Sequence, residues 1–126
     1  MLQMSPLDEE TISSVEAREL SREAVGIWKE IVGRGASHAR AYGGPGSVCL
    51  VFHDVLTQSE RTLIEVGMVD HVREHRRALF ETVRPRMIEA MAKAADAPVQ
   101  SVLYDIDPEQ DNCAFTFVFA RPGPSE

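Results

Sequence analysis

At 126 residues the chain has room for one domain and can bury a core without disulfide or metal staples. Hydrophobic residues make up 44%, too many for wholesale disorder. Lys and Arg total 13 against 20 Asp and Glu, and the net charge of −7 counts against nucleic acid as the main partner, because phosphate binding needs a basic surface.

The first residues carry neither the basic stretch nor the apolar run of a signal peptide. The longest unbroken apolar run, Val48-Cys49-Leu50-Val51-Phe52, is far short of the about 20 residues that span a bilayer. A cytoplasmic location is therefore expected. The whole of 1–126 reads as a single domain, with 1–7 and 121–126 as loose ends.

Ser5-Pro6 offers an N-cap and a first helical position, with Asp8, Glu9 and Glu10 near the positive end of the dipole. Leu20, Ala24, Ile27 and Ile31 recur at helical spacing, and Gly33 stops this helix. Residues 38–42 and 47–53 form a hairpin around Gly43-Gly44-Pro45-Gly46. Thr57 and Glu60 make a capping box for a short helix over 58–66, closed by Gly67. A long helix over 69–95 follows. Its apolar stripe is Val72, Leu79, Val83, Met87, Ala90 and Ala94, and Pro85 should kink it. A second hairpin pairs 99–106 with 113–120.

The order helix, hairpin, short helix, long helix, hairpin predicts an α+β fold. Two αββ halves would build one four-stranded antiparallel sheet, with helices packed on it as a two-layer sandwich. Tyr42 and Tyr104 near the ends of matching strands hint at an internal pseudo-repeat. Phe115, Phe117 and Phe119 alternate with Ala114, Thr116 and Val118, so neither face of the last strand is polar. Something should cover the second face, and a homodimer or higher oligomer is expected. Cys49 and Cys113 sit in strand-like segments and read as two buried thiols.

His71-Val72-Arg73-Glu74-His75 matches H-x-x-E-H, in which His71 and His75 bind zinc and Glu74 is the base. The chain is too short for the protease that normally carries this motif, so two exposed histidines are the preferred reading. His38 or His53 could complete a small site only if the hairpin packs against this helix start. Arg73 and Arg77 share a helix face with Arg84. Arg76 instead lies on the apolar stripe and needs an acidic partner or a bound anion, because an unpaired buried charge is very costly. Glu60, Asp105 and Asp107 are candidate partners. A small carboxylate, bicarbonate or phosphate is the sharper alternative, since the guanidinium fork suits planar oxyanions. Gly33-Arg34-Gly35 is a helix cap and turn rather than a phosphate loop. The carboxylates Asp105, Asp107, Glu109 and Asp111 surround a turn without calcium-loop spacing. No catalytic triad or cofactor motif is legible.

Five segments together resemble the MpsC-like family, formerly a domain of unknown function. They are Gly33-Arg34-Gly35, Val55-Leu56-Thr57-x-x-Glu60-x-x-Leu63, Val72-Arg73-Glu74-x-Arg76-Arg77-Ala78-Leu79, Arg84-Pro85 and Asp105-Ile106-Asp107-Pro108-x-x-Asp111. Two positions depart from the family pattern: Ala36 stands where Pro is usual, and His75 where an aliphatic residue is usual. The family is named for a Na+-translocating, membrane-potential-generating system. The resemblance implies a soluble accessory or regulatory subunit peripheral to an ion or inorganic-carbon transport complex. Arg34, Arg73, Arg76 and Arg77 would then be its anion or partner contacts. A small zinc-dependent hydrolase using His71, Glu74 and His75 is the alternative from another class, and a purely structural oligomerising module is the third.

Overall fold

The computed structural model describes residues 11–120. In chain order these form α1 (Ser14–Val32), β1 (His38–Gly44), β2 (Ser47–His53), α2 (Gln58–Glu65), α3 (Val69–Ala95), β3 (Val99–Asp107) and β4 (Asn112–Phe119). The strands make one antiparallel sheet in the order β1-β2-β4-β3, and the helices pack on it. The α+β two-layer sandwich is the architecture expected from the sequence.

The start of α1 differs from expectation. Ser5 and Pro6 lie outside the described residues, and the helix begins only at Ser14. Ser13 caps it: its side chain accepts from the Glu16 N–H at 3.1 Å, and the Glu16 carboxylate accepts from the Ser13 N–H at 3.1 Å. Just before the cap, Thr11 bridges Pro45, and the Ile12 N–H donates to the Gly44 carbonyl at 3.0 Å. The chain therefore lies against β1 there instead of coiling. Gly33 ends the helix in the left-handed conformation, φ 83°, where a side chain would be strained.

That edge contact leaves no room at Gly43, where an added Cβ would run into the Ile12 carbonyl. Gly43→Ala is expected to lose about 1–3 kcal/mol of stability by overpacking. Urea unfolding checks this, and an unchanged midpoint would show that the 11–12 segment is not held against β1.

The core lies between the inner sheet face and α1 with α3. β2 contributes Val48, Leu50 and Phe52, and β4 contributes Cys113, Phe115, Phe117 and Phe119. α1 answers with Ala17, Leu20, Ala24, Ile27 and Trp28. Phe115 is the hub, with ring centroids of Trp28 at 5.3 Å, Tyr104 at 4.8 Å and Phe52 at 5.2 Å. The buried stripe of α3 is Val72, Arg76, Phe80, Val83, Met87 and Met91. Compared with the expected stripe, Phe80 and Met91 replace Leu79, Ala90 and Ala94: the helix turns its larger side chains inward and leaves the smaller ones at the rim. Pro85 sits on the exposed side of α3, which continues through it.

The pairing of the halves places β2 and β4 side by side at the centre. The two tyrosines are not equivalent, however. Tyr104 belongs to the inner aromatic cluster, and Tyr42 is 54% exposed on the other side of the sheet. The cysteines are both free and lie on opposite faces; Cys49 is only half-buried, while burial pushes the Cys113 thiol up to about 12.

Candidate functional site

A connected network of hydrogen bonds and ion pairs gathers at one corner, around the connection from β2 to α2. Asp54 leaves β2 at φ 60°, a left-handed conformation that Asp tolerates better than most residues. This turn aims the next residues into the protein. Val55 and Leu56 are buried, so their amides need partners away from water.

Asp111, in the β3–β4 turn, supplies them. Its Oδ1 accepts from the Val55 N–H at 2.8 Å and from the Leu56 N–H at 2.9 Å. Its backbone carbonyl accepts from the Asp54 N–H at 2.9 Å. Arg61 of α2 then bridges the Asp111 and Asp54 carboxylates. From the α1–β1 loop, Arg34 pairs with the Asp54 carboxylate at 2.7 Å and donates to its carbonyl at 3.0 Å, while the Ser37 hydroxyl donates to the same carboxylate. The α1–β1 loop, α2 and the β3–β4 turn thus meet on one elbow.

Beneath the elbow lies the buried pair. Thr57 caps α2, and the Glu60 carboxylate accepts from the Thr57 N–H at 2.8 Å. Arg76 reaches across from α3 with its fork: Nε donates to Glu60 Oε2 at 2.7 Å and Nη2 to Oε1 at 2.7 Å. Nη2 also donates to the Val55 carbonyl. Arg76 is 0% exposed, and its guanidinium lies 5.9 Å from the centre of the Trp28 ring. Of the three expected partners the structure selects Glu60: Asp105 and Asp107 lie level with Ala114 and Asn112 on the opposite face of the sheet, where Asp105 holds Arg77, at 3.0 Å.

Protonation follows from these contacts. Burial pushes the Glu60 carboxyl up, but the Arg76 hydrogen bonds and the Thr57 amide outweigh it and hold it below its ordinary 4.5. The Ser37 hydroxyl and Arg34 hold Asp54 below its ordinary 3.8, and the Ile106 amide with Arg77 does the same for Asp105. A carboxyl with a depressed native value stabilises the fold above its unfolded value, and that contribution is lost as pH falls through the native one. Stability is therefore expected to decline as pH drops below 4.5, the ordinary value of Glu60. Urea midpoints across pH check this. Glu60→Gln should flatten the acid limb, and a limb of unchanged slope would remove Glu60 as a contributor.

The sequence model of a family described as Na+-translocating membrane potential-generating system (MpsC) matches residues 13–121. The chain belongs to the MpsC family. No curated protein and no solved structure matches it. Several segments that carry the MpsC resemblance converge on the elbow: Arg34 between two glycines, Val55 to Glu60, Arg76, and Asp111 at the end of its Asp-Pro turn.

Among the expected contact residues, Arg34 and Arg76 come together here, clasping the carbonyls of the consecutive residues Asp54 and Val55. Arg73 and Arg77 do not: Arg73 pairs with Asp70 at 3.1 Å, and Arg77 reaches the edge of the sheet. His71 and His75 are exposed one helical turn apart. His38 and His53 face each other across β1 and β2. Among the described residues no group of three or more His, Cys, Asp or Glu gathers to hold a metal. Sequence reasoning passed over Ser37, Asp54 and Arg61, and it read Asp111 as turn chemistry alone. The one available signal was Asp54, a turn-favouring residue directly after a strand.

Proposed function

We propose that the chain is a non-catalytic accessory subunit of a Na+-translocating, potential-generating system, acting from the cytoplasm as a homodimer. Its MpsC membership supports this reading. None of its described helices is long and apolar enough to cross a membrane, and the reading gives ion conduction to another component. The observation that carries the contact is the half-exposed charge network of Arg34, Asp54, Arg61 and Asp111, presented at the surface by a rigid, buried Arg76–Glu60 support. We place the docking of a partner protein at that corner, with Arg73 and Arg77 as further charged contacts.

Membrane vesicles from the source cells, depleted of the chain, provide the test. Their Na+-dependent potential, read with a voltage-sensitive dye, should fall and return when wild-type protein is added. Arg34→Glu protein with an unchanged circular dichroism spectrum should restore it poorly. A potential indifferent to the presence of the chain would overturn the reading.

One observation favours a bound small anion as a second reading. Among the described residues, Arg76 Nη1, Trp28 Nε1 and the Tyr104 hydroxyl are buried and find no hydrogen-bond partner. The Trp28 and Tyr104 rings lie tilted to each other with centroids 5.4 Å apart, and the guanidinium sits 5.9 Å from the Trp28 ring. Glu60 already balances the Arg76 charge, so an added anion would bring an uncompensated one. Melting curves in bicarbonate, phosphate or acetate decide it: a rise beyond that in sodium chloride of equal ionic strength supports the anion, and its absence removes it.

A further inference from the structure

α1 and α3 cover only one side of the sheet, and the strand register defines what the other side displays. Its two middle rows run straight across the four strands. One row is Arg40, Val51, Ala114 and Asp105; the next is Tyr42, Cys49, Thr116 and Leu103. The neighbouring row is His38, His53, Asn112 and Asp107. The middle of this face is therefore apolar or small, as the sequence suggested, but its edges are charged, which the sequence reading did not anticipate. Basic groups stand along β1 and acidic groups along β3. The face also carries two large exposed apolar side chains at opposite edges of one row, Tyr42 at 54% and Leu103 at 62%.

That pattern is complementary to itself in one orientation. We propose that a second copy of the chain packs on this face about a two-fold axis lying between the sheets and close to parallel to the strands. This rests on the two-copy reading above and specifies its geometry. A rotation about such an axis lays β1 of one protomer over β3 of its partner at the same level along the strands. Arg40 then faces Asp105 of the partner subunit, and Tyr42 covers Leu103 of the partner subunit. An axis across the strands would instead lay β3 over β3 and β1 over β1, setting acid against acid and base against base. Asp105 can serve both purposes, because its side chain stays 70% exposed while holding Arg77.

The size of the face sets the strength. Four strands about 4.8 Å apart, with about 3.3 Å of rise per residue, make a patch about 20 Å on a side, or about 400 Å². Stable pairs bury about 800 Å² per partner, so a dimer that dissociates on dilution is expected.

Sedimentation over a concentration series tests the arrangement, with circular dichroism confirming that each variant is folded. Wild-type protein should move from 14.0 kDa toward twice that mass as concentration rises. Arg40→Glu and Asp105→Lys should each weaken self-association by about tenfold or more. The two together should restore it. Leu103→Asp should abolish it. A wild-type chain that stays at 14.0 kDa throughout overturns both the two-copy reading and this geometry. A wild-type dimer that tolerates Leu103→Asp, or whose charge-swapped double variant stays apart, overturns this geometry and leaves the two-copy reading standing.

Discussion

Truncating Glu60 to alanine should cost about 3–5 kcal/mol in urea unfolding, enough to bring an ordinary domain close to its limit. The reason is asymmetric. Arg76 is 0% exposed and cannot shed its proton, so removing Glu60 strands a full charge in the core. Arg76→Met should cost less, because the carboxyl left behind can take up a proton, and its loss should deepen as pH rises. Replacing both, as Arg76→Met with Glu60→Gln, should be milder than Glu60→Ala alone, since neither a charge nor a large void remains. The double-mutant cycle isolates the coupling. A cost for Glu60→Ala below about 1 kcal/mol would mean that Arg76 finds water or another acceptor, and the rigid support beneath the corner would lose its basis.

Asp111→Ala is the second large effect. It orphans the Val55 and Leu56 amides, both on residues no more than 2% exposed. Each lost acceptor costs about 1–3 kcal/mol, so about 2–6 kcal/mol is expected for the pair. The position also has φ 56°, which alanine adopts poorly. Asp111→Asn keeps an acceptor oxygen and tolerates that backbone, giving up mainly the charge opposite Arg61. It should therefore stay within about 1 kcal/mol of wild type. Hydrogen exchange at the two amides offers a local readout, fast in the alanine variant and slow in the asparagine one. If asparagine proves as damaging as alanine, the carboxylate charge opposite Arg61 holds the elbow, and the hydrogen bonds from the two backbone amides do not.

What the sequence disclosed depended on how local the cause was. The bounds of α3, Val69 to Ala95, the capping box of Thr57 and Glu60, and the turn between β1 and β2 were all legible, because each rests on residues a few positions apart. The inward aim of Arg76 was legible too, because helical period alone puts it beside Val72 and Val83. The start of α1 was misplaced for a tertiary reason: Thr11 and Ile12 prefer the edge of β1 to another helical turn. Asp111 was undervalued because its amide partners lie on the far side of the chain, and nothing in a turn motif says which distant donors it will serve. The rows of the outer sheet face were hidden for the same reason. Alternation gives the two sides of each strand, but only the register brings Arg40 and Asp105 level.

The strand order carries a consequence for biosynthesis. β4 is the last of the four strands to be made, yet it occupies the interior position between β2 and β3. Until it emerges from the ribosome, the nascent chain holds a hairpin with one greasy margin open and a third strand with nothing to join. Phe115, around which both helices gather, arrives only then. Closure of the sheet therefore waits for β4 and depends on contacts distant in sequence, which form slowly. During that interval the Val48 to Phe52 segment is the stretch most in need of a chaperone.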